Sequence, residues 1–218
     1  MNNKLRNFRF HYFECEKIVK KHSEKLENAD VLDVGSNVGF FSEAILKNVK
    51  CNSIHLFEPC FEYFSLSVSH PILKGCKDTK IYYNNYGLSD LKQNKVLYKS
   101  KDNNIGWNTF LTKDPNQKEG FYEYMSKENC RVMRLDDYDI DNIDFIKIDT
   151  EGYEHKVIDG GLEQIKKHKP YILVEVGWGI NHPEWEKCQV IYNKLFDIGY
   201  EKINFTTDTK DILFAPKQ

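Results

Sequence analysis

The chain has no CxxC pair, no excess of either charge, no long apolar run and no internal repeat. Each absence removes a class of protein. Its six cysteines (Cys15, Cys51, Cys60, Cys76, Cys130 and Cys188) are scattered. That spacing builds no zinc knuckle and reads as free thiols in a reducing compartment. The 31 basic and 33 acidic residues leave a formal net charge of −2, whereas a dedicated DNA or RNA binder carries a basic excess. No apolar stretch approaches the roughly 18 residues that a membrane span needs. Residues 1–10 are polar and lack the apolar core of a signal peptide. The expectation is a cytoplasmic protein with no membrane span and no DNA partner.

What is present is enough for a packed core. Hydrophobic residues make up 40%, charged residues 29% and aromatics 14% of the 218 positions. That composition is not that of a disordered chain. A chain of this length buries roughly 70% of its unfolded surface and needs no disulfide or metal staple. No linker or low-complexity segment interrupts it, so a single domain is expected.

The apolar periodicity changes along the chain. Residues 11–28 place Cys15, Val19, His22 and Leu26 at helical spacing among Lys and Glu, which predicts an amphipathic helix. Residues 29–35 form a Val-rich run that stops at Gly35, the pattern of a buried strand. Helical period returns over 38–49. A second strand, 53–59, ends at Pro59. A helix over 61–70 stops at Pro71, and a third strand covers 80–85. Strand, helix, strand, helix, strand at this spacing means βαβ units and a parallel sheet with helices on both faces. Residues 90–139 are less regular: weak alternation at 95–99, a loop at 103–107, an aromatic patch at 121–125, a short strand at 131–135. Order then returns as a strand at 143–149, a helix at 153–168, a strand at 170–176 and a helix at 184–198. Two closing strands, 200–205 and 211–215, pair as a hairpin.

Asp33-Val34-Gly35-Ser36-Asn37-Val38-Gly39 links the first strand to the next helix. A tight turn at the carboxyl end of a strand brings backbone close to a ligand, and glycine permits that approach. The helix N-terminus is expected to offer free N–H groups to a polar or anionic ligand. Glu58 closes the second strand, where an acid can take both hydroxyls of a ribose. A nucleoside cofactor at the switch point of an open sheet follows. A dinucleotide fold wants GxGxxG with pyrophosphate on the helix. This turn has two glycines four apart and an acid, Asp33, that would repel pyrophosphate but suits the cationic amino-acid end of S-adenosylmethionine (SAM). The bland alternative is that Gly35 and Gly39 only shape the turn and Asp33 is only a helix-start acid.

The run from Asp144 to Glu154 is the most specific stretch. It places Lys147 between Ile146 and Ile148 in a strand that should be central. A buried ammonium is costly unless paired, and the acids at neighbouring strand ends are Asp149, Asp33 and Glu175. Asp149 and Glu151 stand at the carboxyl edge, where open α/β sheets bind ligands.

These residues resemble the FkbM family of SAM-dependent methyltransferases. The resemblance is carried by Val31 to Gly39, Phe57-Glu58-Pro59, Gly87-Leu88-Ser89-Asp90 and above all Phe145 to Glu154, and covers about residues 30–176. Thr150 departs from the usual aliphatic residue and Gly87 from the commoner Ala. The resemblance implies an α/β, Rossmann-like class I methyltransferase sandwich. Its sheet would be seven-stranded and mostly parallel, closed by a C-terminal antiparallel hairpin. One methyltransferase domain would span 1–218: an N-terminal helix (1–28), a cofactor-binding core (29–176) with a variable insert at about 90–139, and a C-terminal helix and hairpin (177–218). It also implies methyl transfer from SAM to an oxygen, often a sugar hydroxyl in a glycan. By position, Gly35, Ser36, Asn37 and Gly39 would hold the methionine part, Glu58 the ribose, and Asn85, Gly87 and Leu88 the adenine side. Asp149 would serve both the cofactor and the chemistry.

An alcohol is a weak nucleophile, so a base must take its proton or a metal must lower its pKa. Asp149, Glu175, Glu151 and His182 are the candidates for the base. Asp149 and Glu175 are also the candidates for a divalent ion such as Mg or Mn, which prefers oxygen ligands. Glu175 reads equally as a structural partner of Lys147, His182 as a surface histidine, and Trp107 and Trp178 as either sugar-stacking or packing residues. Small metabolites and RNA ribose remain alternative acceptors. Outside this class stand a nicotinamide oxidoreductase and a non-catalytic nucleoside-binding module.

Overall fold

The computed structural model describes residues 3–100, 106, 108–111, 124–175, 185–203 and 211–217. In chain order it contains α1 (Asn3–Lys21), α2 (Ser23–Leu26), β1 (Asp30–Val34), α3 (Phe40–Asn48), β2 (Ser53–Phe57), α4 (Phe61–Ser69), α5 (Pro71–Gly75), β3 (Lys80–Asn84), β4 (Gly87–Leu88), β5 (Gln93–Ser100) and β6 (Tyr124–Met133). It continues with β7 (Phe145–Ile148), α6 (Glu154–Asp159), α7 (Leu162–His168), β8 (Tyr171–Glu175), α8 (Trp185–Asp197), β9 (Tyr200–Ile203) and β10 (Asp211–Pro216). The main sheet has seven strands in the order β3-β2-β1-β7-β8-β10-β9. β3, β2, β1, β7 and β8 run parallel, and β10 is antiparallel to both β8 and β9. This is the α/β sheet with a closing antiparallel hairpin that the periodicity predicts. Among the described residues no helix is long and apolar enough to cross a membrane.

The central strands are apolar on both faces, and successive residues feed two different cores. Val31, Phe145, Leu173 and Leu213 pack with Val19 of α1 and Phe41, Ala44 and Ile45 of α3. Leu32, Ile146, Ile172 and Phe214 pack on the other face with Val157 and Ile158 of α6, Ile165 of α7, and Ile191 and Leu195 of α8. The period of two places Asp33 and Lys147 on the α1–α3 face, below the sheet edge.

Four sequence expectations change. The first helix, expected over 11–28, starts at Asn3 and is broken at His22 into α1 and α2. The helix at 153–168 is two helices, broken at Gly160–Gly161. A side chain at Gly160 would meet the Ser89 carbonyl oxygen at 1.8 Å, so close approach of the 87–90 segment requires the glycine and helix α6 ends there. Pro71 does not simply stop a helix; it opens the short α5 as its first residue, a position that needs no N–H. The irregular middle holds a second sheet, β4-β6-β5, in which β5 and β6 form a long antiparallel pair. Its strands carry polar residues on an open face, so their alternation is weak. The expected loop at 103–107 (apart from Gly106), His182, Trp107, Trp178 and the hairpin tip at 206–210 lie outside the described residues.

Candidate active site

Parallel register aligns the strand ends. Val34 is level with Phe57 on one side and Ile148 on the other, and Ile148 is level with Val174. One residue further on, Glu58, Gly35, Asp149 and Glu175 therefore form a row along the carboxyl edge. Asp211 of β10 extends it, paired directly with Glu175. This row borders a cavity of about 560 Å³, within the range typical of small-molecule sites. Of the residues singled out in the sequence, Gly35, Ser36, Asn37, Glu58, Gly87, Leu88, Asp149, Glu151 and Glu175 line it. The lining does not include Asp33, Gly39 or Asn85.

The turn after β1 differs from its sequence reading. Gly35 and Ser36 both donate their N–H to the Phe57 carbonyl, at 3.0 and 3.1 Å, and Gly39 donates to the Ser36 carbonyl at 2.8 Å. The Asn37 N–H goes to Glu58 Oε2 at 2.9 Å, and the Val38 N–H to Asn37 Oδ1 at 2.7 Å. From Gly35 through Gly39 the amides are engaged within the fold, so the turn itself offers no N–H to a ligand, and any offered to one belong to the first turn of α3, which starts at Phe40. The glycine requirement also has a different origin. Gly35 has φ +76, and a Cβ there would lie 1.8 Å from the Asp149 carbonyl oxygen. Its missing side chain lets β1's turn pass against the end of β7.

Glu58 is held by two backbone donors: Cys60 N–H to Oε1 at 2.8 Å and Asn37 N–H to Oε2 at 2.9 Å. Each oxygen keeps a lone pair for a further donor. Burial pushes its pKa up to about 7, against the lowering by those two bonds. Ser36 Oγ, 3% exposed, has no hydrogen-bond partner and sits in the cavity wall. An orphaned hydroxyl beside a fixed carboxylate suits a polar nucleoside–amino-acid ligand. Asn85 instead donates to the Glu58 and Pro59 carbonyls, tying the ends of β2 and β3 together.

Lys147 lies under the row. Its Nζ is 3.0 Å from Asp149 Oδ2, 3.8 Å from Asp33 Oδ1 and 3.5 Å from the Gly35 carbonyl. Burial works to lower its pKa, but Asp149 and Asp33 outweigh it and the ammonium is held charged. Asp33 is fully buried; its Oδ2 accepts from Ser42 Oγ at 2.7 Å. Burial raises its pKa, opposed by Lys147. Its reach to any ligand is thus through Lys147 and the turn, a departure from direct contact with a cationic group.

Asp149, Glu151 and Glu175 bring carboxylate oxygens within 4.8 Å of one another. Burial raises Glu175 well above the ordinary carboxylate range; Asp149, Glu151, a hydrogen bond with Asp149 and Asp211 add to it. Two chemistries fit such a set: a shared proton on the Glu175–Asp149 pair, or a hard cation with oxygen ligands. Glu151 sits at φ +54 and Gly152 at φ +95. Glu154, whose pKa burial pushes up to about 7, braces this turn by accepting from Thr150 N, Thr150 Oγ1 and Gly152 N.

Sequence reasoning passed over several lining residues as site candidates: Glu14, Cys15 and Ile18 from α1, Phe110 from the insert, and Asp211. Burial pushes the Cys15 thiol up to about 12, so it is not a thiolate nucleophile. Asp211 was findable: the first residue of an antiparallel closing strand must start at the carboxyl edge of its parallel neighbour.

The family model described as the Methyltransferase FkbM domain matches residues 33–202. The chain belongs to the FkbM methyltransferase family. Solved structures share the fold of this FkbM domain at low identity. The FkbM methyltransferase of Methylobacillus flagellatus KT superimposes with a TM-score of 0.54 at 15% identity, over 86% of this chain but only 43% of that one. The magnesium protoporphyrin IX methyltransferase of Synechocystis PCC 6803, solved with bound SAM, gives 0.54 at 10% identity over 100% and 85% of the two chains. The ribosomal protein L11 methylase of Lactobacillus delbrueckii subsp. bulgaricus gives 0.52 at 11%, over 95% and 79%. No curated protein sequence matches the chain.

Proposed function

We propose that this FkbM domain is a SAM-dependent O-methyltransferase acting on a sugar hydroxyl in a glycan or glycoconjugate. One observation carries the reading: a single cavity joins the Ser36–Glu58 end to the Asp149–Glu151–Glu175 set. SAM supplies a methyl group activated by the sulfonium charge. Glu58 and Ser36 offer acceptors for ribose hydroxyls and the amino-acid end, and Leu88 packs the adenine side. Glu175, whose proton affinity is raised by burial and by the acids beside it, and Asp149 next to it share the task of taking the proton of the acceptor hydroxyl as the new C–O bond forms.

The charge of the lining favours a neutral acceptor over RNA. Among the described lining residues, Glu14, Glu58, Asp149, Glu151, Glu175 and Asp211 are acidic and Lys147 alone is basic. Phosphates gain nothing from such a wall. Small hydroxylated metabolites remain the alternative acceptors. The oxygen set of Asp149, Glu151 and Glu175 also favours a second version, in which a divalent ion lowers the hydroxyl's pKa in place of the base.

Thermal shift against SAM, its demethylated product and NAD tests the cofactor. Stabilisation by the first two is expected; stabilisation by NAD alone rejects the reading. Labelled SAM with a glycan panel and mass spectrometry then reads the acceptor as a gain of one methyl. Activity that survives EDTA unchanged removes the metal version.

A further inference from the structure

The insert reaches the acid row through Thr109. This residue is 1% exposed and is strapped to β5: its N–H donates to the Tyr98 carbonyl at 3.0 Å, and its carbonyl accepts the Tyr98 N–H at 2.9 Å. Its hydroxyl accepts from the Leu111 N–H at 3.1 Å and donates to the Glu151 carbonyl at 2.7 Å. Beside it the Phe110 ring packs on Tyr153, centroids 5.4 Å apart.

The peptide between Glu151 and Gly152 has left-handed φ on both sides, +54 and +95. A unit followed by glycine flips easily unless both ends are bonded. Here both are: the carbonyl by Thr109 from the insert, the Gly152 N–H by Glu154 Oε1 from below at 3.1 Å. Removing the Thr109 hydroxyl leaves one anchor, on the N–H.

We propose that Thr109 is a positioning residue, whose hydroxyl fixes the Glu151–Gly152 peptide and so keeps the Glu151 carboxylate beside Asp149 and Glu175. The inference rests on the methyltransferase reading and adds to it a link between the variable insert and the acid set. Glu151 is thereby placed from two directions, and the insert's seating on the core sets the geometry that an acceptor hydroxyl meets.

The test uses binding and needs no acceptor. Two probes are titrated by calorimetry: S-adenosylhomocysteine and the SAM analogue in which CH–NH3+ replaces S+–CH3. In the wild type the ammonium, facing the acids, binds more tightly than the product. Thr109→Val should cut that preference by roughly threefold to fivefold, the scale of one carboxylate beside an ammonium in a half-open cleft, while the product's Kd moves less than about twofold. Thr109→Ser keeps the hydroxyl and should keep the wild-type ratio. An unchanged ratio in Thr109→Val overturns the proposal, as does a Thr109→Ser that falls with it. If Thr109→Val does not fold, Thr109→Ala replaces it; failure of both to fold makes the role structural and also overturns it. A wild type that binds the product but shows no preference for the amine shows instead that the acid rim does not face the methyl position, and removes both readings. A Glu151→Gln variant with the wild-type preference removes only the Thr109 proposal.

Discussion

Replacing Lys147 by methionine tests the electrostatics beneath the site. The side chain stays unbranched, is one atom shorter and loses its charge. Asp33 then has the Ser42 hydroxyl and no cation, at 0% exposure. Asp149 loses its partner too, but at 35% side-chain exposure water compensates for most of that. The penalty therefore falls mainly on Asp33. Removing one partner of a buried pair costs about 3–5 kcal/mol, which for a domain of this size lowers Tm by roughly 6–20 °C. Asp33→Asn in the same chain should recover part of the loss, by about 1–3 kcal/mol of coupling. The deficit also depends on pH in a definite sense. Without the ammonium, burial holds Asp33's folded pKa above its unfolded value still more strongly. The folded variant then binds more protons than the unfolded chain between those two values, and its stability falls as pH rises through that window. The deficit must shrink as pH is lowered toward 4. Urea unfolding of wild type, single and double variants at pH 4.5 and 7.5 measures all of this. A single variant that loses under about 1 kcal/mol, or whose deficit grows on acidification, refutes the reasoning.

Two further outcomes follow from the same geometry. Gly35→Ala should lose about 2–5 kcal/mol in urea unfolding, combining a left-handed φ with overlap on the Asp149 carbonyl. Gly39→Ala should lose less, because its new methyl meets the movable Leu73 Cδ1; the opposite order sinks the account. In the ligand-free protein, Glu58 and Glu154 stand near pKa 7 against an ordinary 4.5, so they favour folding less as pH rises through that interval. His22 and His55, lowered to about 4 from 6.5 by burial, act in the opposite sense below 6.5. Tm should accordingly be higher at pH 6 than at pH 8, and a higher Tm at pH 8 contradicts the assignment.

The centre of the main sheet was legible because β1, β2, β7 and β8 are apolar on both faces and helix periods join β1 to β2, β2 to β3 and β7 to β8. Glu58, Asp149 and Glu175 were legible as acids at strand ends, since strand ends in a parallel sheet are also sheet edge. What the sequence concealed depends on distance between segments. Gly35 and Gly39 look alike in the sequence, yet one faces a carbonyl and the other a leucine methyl. Asp33 was legible as a partner for Lys147, which it faces at 3.8 Å, but not as a fully buried acid kept out of the cavity lining. Thr109 lies 42 residues from the carbonyl it holds, in a stretch whose half-exposed strands give no apolar rhythm.

The strand that follows β9 in the chain lies inside the sheet, between β8 and β9. Assembly therefore cannot proceed in chain order. β8 keeps an open edge, and β9 has nothing to join, until residues 211–216 arrive. The same arrival seats Asp211 against Glu175 and completes the row of carboxylates. A nascent or partly unfolded chain can own a formed glycine turn and still lack the finished acid edge, because that edge waits for closure of the hairpin.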